Sequence, residues 1–240
     1  MAQRAAIVTG ASSGIGLAIA RLLGQEGYGV TVAARRPEKL AGAVQELRSE
    51  GIEIEEVAAN VADEEDVKRV VAAHRDRFGR LDVLVNNAGV GLGATLADTT
   101  TKKLDMQLDV NIRQIVLFYR ECLEMLQAAG AEHKQALVVN TASIAGKHGQ
   151  AWLAVYSATK HAVVGWTASM NHELATQGIK SCALCPAYVD TPMTDFVKGQ
   201  VEPSDMITPQ DIAESVRLLL KVSPACIIPE IQFLRAGDDL

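Results

Sequence analysis

The sequence predicts an α/β fold: a doubly wound, seven-stranded, mostly parallel sheet with helices on both faces. Three observations carry this. Short β-branched runs alternate with stretches of helical periodicity along the whole chain. Glycine and proline punctuate the boundaries between them. No Pro/Ser-rich linker, repeat or low-complexity tract interrupts the 240 residues, so residues 1–240 read as a single domain.

The first strand-like runs are "AAIVTG" and "GVTVAAR", both bounded by glycine. Between them "IGLAIARLLGQEG" has helical periodicity, with Ile15, Ile19, Leu22 and Leu23 on one side. "PEKLAGAVQELRSEG" opens with proline and closes with glycine, the usual asymmetry of a helix. "IEIEEVAAN" reads as the third strand, and "DEEDVKRVVAAHRDRFG" as a helix whose first-turn acids suit its dipole. "LDVLVNNAG" is the fourth strand, followed by a long helical region over roughly 101–129. "QALVVNTAS" is the fifth strand, and a helix is predicted over 152–177. "GIKSCALCPAYV" and "ACIIPEIQFL" are the last two strands, with "TPQDIAESVRLLLKV" as a helix between them. Ligands of such sheets bind beyond the carboxyl ends of the strands.

Composition narrows the function classes. A net charge of -6 argues against a nucleic-acid or anionic-membrane partner, either of which needs a cationic face. The least polar window, 151–170, carries Lys160 and His161 and does not read as a membrane span. "MAQR" runs straight into a strand, leaving no room for a leader, so a cytoplasmic protein is expected. "CALC" at 182–185 has the spacing of a redox or zinc pair, but residues three apart on a strand face opposite ways. With no second Cys/His pair nearby, buried structural cysteines and no metal site are expected.

Two stretches carry chemistry. In "VTGASSGIGLAIA", Gly10, Gly14 and Gly16 stand at the turn from the first strand into the first helix. Glycines there permit a tight turn, close approach of a pyrophosphate and close packing of helix on strand. The helix N-terminus then offers free N–H groups to the phosphates. In "VYSATK", Tyr156 and Lys160 are four apart, hence on one helical face a turn apart. A free tyrosine titrates near 10, and a neighbouring ammonium favours the phenolate, which suits proton exchange with an alkoxide or alcohol. Ser143, thirteen residues before Tyr156, follows the fifth strand, where a hydroxyl can hold a substrate oxygen. Hydride is beyond any side chain and implies a nicotinamide. After the second strand, Ala34 replaces the acid an NAD site needs, and Arg35 and Arg36 follow, suited to a 2′-phosphate. NADP (NADPH) is therefore expected, with NAD as the less favoured alternative.

"TGASSGIG" at 9–16, "NNAG" at 86–89 and "YSATK" at 156–160 together resemble the short-chain dehydrogenase/reductase family in its classical form, and the likeness runs in order over nearly the whole chain. That resemblance implies a Rossmann-like fold and four catalytic residues, Asn111, Ser143, Tyr156 and Lys160, with Asn111 holding a water that links Lys160 to solvent. It places the dinucleotide on Gly10, Ser12, Ser13, Gly14, Ile15 and Gly16. Arg35 and Arg36 lie at the adenosine ribose, Asn60 and Val61 at the adenine, and Asn87, Ala88 and Gly89 beneath the cofactor. Tyr156 and Lys160 meet the nicotinamide ribose, and Pro186, Val189 and Thr191 the carboxamide. Two departures stand out: Asn60 where the family has aspartate, and Ala187 where it has glycine. The ending "PEI" resembles an NADP-linked branch. The implied reaction is reduction of an aldehyde or ketone, or its reverse, under a substrate loop at about 191–208. An NAD-dependent secondary alcohol dehydrogenase and a non-catalytic dinucleotide sensor are the alternatives. A homodimer or homotetramer formed through the 101–129 and 152–177 helices is the expected assembly, with a small carbonyl or alcohol as the substrate.

Overall fold

The protein, described here by a computed structural model over residues 4–199 and 201–238, winds seven strands into one sheet of order β3-β2-β1-β4-β5-β6-β7. The start of the chain, where no leader is expected, and Gln200 of the 191–208 segment lie outside the described residues. The strands are β1 Arg4–Thr9, β2 Tyr28–Ala34, β3 Ile54–Ala58, β4 Val83–Asn86, β5 Ala136–Thr141, β6 Ile179–Pro186 and β7 Glu230–Phe233. All six pairings are parallel, from Arg4↔Tyr28 at one junction to Pro186↔Phe233 at the other. Each therefore needs a crossover, supplied by α1 Gly14–Gln25, α2 Pro37–Ser49, α3 Glu64–Phe78, α4 Thr101–Leu108, α5 Gln114–His133, α6 Ala154–Leu174 and α7 Pro209–Lys221.

The sheet is buried on both faces. Ile19 and Leu23 of α1, Leu40 and Leu47 of α2 and Ile212 and Val216 of α7 cover one face. Val67 and Val70 of α3, Phe118 and Leu126 of α5 and Val163 of α6 cover the other. Cys182 and Cys185 fall into these two opposite clusters, and burial pushes both thiols up to about 12. Cys226, by contrast, is exposed. Among the described residues no helix is long and apolar enough to cross a membrane.

Three boundaries differ from the sequence reading, each for a local reason. The helical region expected over 101–129 runs on to His133 and is broken by a π-helical turn, Asp109–Arg113, around Asn111. The helix expected from residue 152 begins at Ala154, because Trp152 takes a left-handed backbone with φ of 55°. The strand expected from Ala225 begins at Glu230. Lys180 Nζ takes the carbonyls of Ser223 (2.6 Å) and Cys226 (2.8 Å), which curls the preceding segment away from the sheet.

His74 is buried under β2, with Nδ1 2.7 Å from the Thr31 hydroxyl and Nε2 2.8 Å from the Arg80 carbonyl. Burial lowers its pKa from 6.5 to about 4. A neutral ring stabilises the fold fully above pH 6.5, and that contribution is lost as pH falls toward 4. Unfolding free energy is expected to drop by on the order of 3 kcal/mol from this group across that window. Urea titrations at pH 7 and pH 4 measure the drop, and a His74 imidazole NMR signal titrating above pH 5 contradicts it.

Candidate active site

The carboxyl ends of β1, β4, β5 and β6 meet at one crevice, and the glycine loop forms one wall of it. Gly10 has φ of 67°, and a β-carbon there would come within 2.9 Å of Ala88 Cα. At Gly16 a β-carbon would come within 2.5 Å of both the Gly10 carbonyl and Asn87 Nδ2. Only bare backbone lets α1 start this close to β1 and β4. Gly14, with φ of 56°, faces Thr191 across the crevice; a β-carbon there would lie 2.9 Å from Thr191 Cγ2. This brings the loop after β1 and the loop after β6 together.

The start of α1 is prepared for an anion. α3 is capped by Asp63 and carries three acids in its first turn, and α7 is capped by Thr208. By contrast, Ser13 makes no side-chain cap on α1, and the first turn of α1 holds no acid. Free N–H groups and an uncompensated positive dipole end remain, which a diphosphate fits. Arg35 and Arg36 are exposed just past β2, and among the described residues neither side chain has a hydrogen-bond or ion-pair partner. The Ala11 N–H bonds the Ala33 carbonyl at 3.3 Å, which ties the end of β2 to the glycine loop. Val61 is buried and Asn60 exposed beyond β3; Asn60 N–H is held by Asp66 at 2.7 Å.

Asn87 clamps the strand ends beneath the crevice. Its Nδ2 donates to the Thr9 carbonyl (3.1 Å), and its Oδ1 accepts from the Thr141 hydroxyl (3.2 Å). The Thr9 hydroxyl accepts the N–H groups of Asn87 and Ala88, both at 3.0 Å. One amide and one hydroxyl thus lock three strand ends in register beneath the crevice. Sequence reasoning passed over Thr9 and Thr141; their place beside the glycine and "NTAS" stretches was the available signal.

Tyr156, Lys160, Ser143 and Asn111 converge on the β5 side. Ser143 caps the short 3-10 turn Ile144–Gly146, its hydroxyl accepting from Ala145 N–H at 3.2 Å. Gly146 lets that turn press on α6, for a β-carbon there would meet the Lys160 carbonyl at 2.6 Å. Lys160 is 4% exposed; its ammonium donates to the Thr141 carbonyl at 2.7 Å and lies 5.6 Å from the centre of the Tyr156 ring. Asn111 sits in the π-turn, a feature that recurs at functional sites. Its amide brackets Val90, accepting from the N–H at 2.8 Å and donating to the carbonyl at 2.9 Å, and also donates to Thr159 at 3.1 Å. Its side chain is thus engaged in fixing the 89–92 loop. Its Oδ1 and Lys160 Nζ nevertheless flank one point above Gly89, 3.5 and 3.6 Å from where a β-carbon would stand.

Electrostatics reverse one expectation. Burial pushes the Tyr156 phenol above its usual value, with the Ser143 hydroxyl pulling it back. Burial dominates the phenol, while Lys160 Nζ, held by the Thr141 carbonyl at 2.7 Å, lies 5.6 Å from the centre of the ring. Burial lowers Lys160 from 10.5 to about 8. Its neutral form suits the fold, so its contribution to stability is present above 10.5 and lost as pH falls through 8. At neutral pH the chain holds a desolvated cation at a cost, a sign of function rather than packing.

The segment after β6 covers the crevice. A 3-10 turn, Pro192–Val197, starts at Thr191, and Lys198 pairs with Asp190 (2.9 Å) and Asp195 (2.8 Å). The Val189↔Ile207 bridge closes the base of this roof. Pro186 ends β6, and its carbonyl lies 3.5 Å from the Ser143 hydroxyl. Ala187 N–H bonds the Phe233 carbonyl at 2.9 Å, tying the start of the loop after β6 to the end of β7.

Comparison with known proteins points the same way. The short chain dehydrogenase family matches residues 4–201. A Streptomyces virginiae protein named as a ketoacyl reductase of monensin polyketide synthase is 43% identical over 197 residues, covering 82% of this chain and 74% of the relative. A variant of actinorhodin polyketide ketoreductase, solved with NADPH, superposes with TM-score 0.87 at 35% identity over 97% of both chains. The 3-ketoacyl-(acyl-carrier-protein) reductase of Brucella melitensis, solved with NADH, gives TM-score 0.89 at 29% identity over 98% of both chains. With this fold, glycine loop and Tyr–Lys helix in place, the chain belongs to the short chain dehydrogenase family of NAD(P)-dependent oxidoreductases.

Proposed function

We propose that the protein is an NADP(H)-dependent oxidoreductase that reduces an aldehyde or ketone to an alcohol, or runs the reverse, with Tyr156 as the acid or base. One observation carries this reading: a buried ammonium, Lys160, lies against a tyrosine whose phenol is itself beside the Ser143 hydroxyl. No carboxylate pairs with that ammonium among the described residues. Packing alone has no use for such a cation.

When bound, the dinucleotide supplies or accepts the hydride. The chain's residues do the rest. Ser143 donates a hydrogen bond to the carbonyl oxygen and orients it. Tyr156 passes its proton to that oxygen as negative charge develops, and burial, by holding the phenol protonated, keeps the proton available for reduction. Lys160 stabilises the phenolate left behind, and a water between Nζ and Asn111 Oδ1 restores the proton. Gly10, Ser12, Ser13, Gly14, Ile15 and Gly16 hold the diphosphate, with Asn60 and Val61 at the adenine. Asn87, Ala88 and Gly89 form the floor, Lys160 holds the nicotinamide ribose, and Pro186, Val189 and Thr191 face the carboxamide. Residues 1–240 act as one catalytic unit with 191–208 as its substrate loop. Val116 of α5 is an exposed apolar residue on a helix expected to pair in a homodimer or homotetramer.

The deciding experiment is a screen for NADPH oxidation with aldehydes and ketones, run beside NADH. Turnover of none of them despite tight NADPH binding makes the protein a dinucleotide sensor and defeats the reading. Arg35 and Arg36, free of ion pairs among the described residues, carry the choice of cofactor. The Arg35→Ala, Arg36→Ala double variant is expected to weaken NADPH binding by about 10- to 100-fold, the worth of one or two charge-assisted hydrogen bonds, with little change for NADH. Titration by nucleotide fluorescence measures both, and equal losses contradict a 2′-phosphate site.

A further inference from the structure

Trp152 adopts a backbone that its own side chain resists. Its φ of 55° lies in the left-handed region, which crowds a bulky residue. Lys134, the other such non-glycine among the described residues, has an evident reason: it closes α5 as its C-cap. Trp152 has none, since Leu153 is the N-cap of α6. The neighbouring chain nevertheless holds the strained residue in place. The Trp152 carbonyl accepts from Ala94 N–H at 2.8 Å. Its indole lies on Gly93, where a β-carbon would come within 1.9 Å of Cζ3. Its ring stands edge-on to Phe196 of the roof, centres 6.0 Å apart at 90°.

Having been fixed from three sides, the indole is still 51% exposed, and Phe196 is 59% exposed. Strain held for packing would bury the ring; strain that displays a ring marks a functional surface. The surface borders the chemistry. Gly91 runs alongside Tyr156, a β-carbon there lying 3.7 Å from Cε2, and Gly93 is two residues further on, at most ~7 Å along the loop. Lys198, a cation of the roof, is already neutralised by Asp190 and Asp195. The mouth is therefore suited to a neutral, flat group rather than an anion.

We propose that Trp152 and Phe196 form an aromatic subsite that seats a planar ring of the substrate, which makes aryl ketones the substrate class. This rests on the carbonyl reductase reading above. An edge-to-face pair leaves a corner in which a third ring stacks on one face and meets the other by its edge. Gly93 and the strained backbone at 152 exist to hold that corner open.

The test compares kcat/KM for an aryl methyl ketone and a linear aliphatic ketone of equal carbon number. Trp152→Asn suits the left-handed backbone and relieves its strain, so the variant folds with an equal or higher Tm. The aryl-to-alkyl ratio is expected to fall about tenfold in Trp152→Asn and to recover in Trp152→Phe, through KM rather than kcat. A fall of threefold or more supports the subsite; a smaller one, or parallel loss for both ketones, overturns it. Fluorescence of Trp152, taken as the difference between wild type and Trp152→Asn, gives a second reading without turnover. An aryl ketone that quenches it while no ketone is reduced fails the reductase reading and keeps the subsite. Turnover with no quenching and no ratio change does the reverse.

Discussion

Tyr156→Phe is expected to lower kcat by about 10³-fold while NADPH binds with nearly unchanged affinity. The substitution removes one oxygen and little else. The ring stays against Gly91 and over Lys160, and the Thr159 hydroxyl still donates to the backbone carbonyl of residue 156 at 2.7 Å. The Lys160 ammonium keeps its Thr141 partner, so the site's shape and charge survive. What disappears is the phenolic proton donor beside the Ser143 hydroxyl. Single-turnover kinetics with bound NADPH isolate that step, and a kcat within tenfold of wild type defeats the assignment. A pH profile adds a sign: Lys160 carries its charge below about 8, so reduction is expected to slow as pH rises past that value.

Gly16→Ala carries the second large effect, on binding and stability together. The added methyl meets the Gly10 carbonyl and Asn87 Nδ2, both at 2.5 Å, and neither is a free side-chain end. The carbonyl belongs to the turn itself, and Nδ2 is already bonded to the Thr9 carbonyl. Relief requires α1 to lift from β1, which moves the N–H groups of its first turn out of line. Overpacking of this kind costs about 1–3 kcal/mol, a Tm loss of roughly 5 °C in a chain of this size. NADPH affinity is expected to fall by about 100-fold, the loss of the diphosphate contacts. Differential scanning fluorimetry with and without NADPH measures both, and an undiminished ligand-induced Tm shift in the variant contradicts the role of this contact.

Much of this was legible from residues alone, because alternation and punctuation are local signals. "AAIVTG" could be assigned as a strand and "PEKLAGAVQELRSEG" as a helix without knowing their neighbours, and a mostly parallel seven-stranded sheet follows from their alternation, though not its strand order. The convergence of Ser143, Tyr156 and Lys160 was equally legible, since two share a helix face and one closely follows a strand. What escaped were effects decided by distant partners. The π-turn at Asp109–Arg113 gives no periodicity signal; it is paired with the grip of Asn111 on Val90. The left-handed Trp152 depends on Gly93, far away in sequence. The direction of the Tyr156 shift is set by its burial, which spacing alone does not encode.

The junction between β1 and β4 has one more implication. Its register extends only from Ala6↔Val83 to Val8↔Val85, while β1 against β2 runs from Arg4↔Tyr28 to Thr9↔Ala33. The sheet's shortest internal seam thus separates a half completed early in synthesis from a half that emerges later. The Asn87 amide stitches that seam at its upper end. A ligand bridging the glycine turn and the loop above β4 would act as a suture across it. Hydrogen–deuterium exchange should therefore slow more at Val83–Val85 than at the sheet's outer edges when NADPH is added.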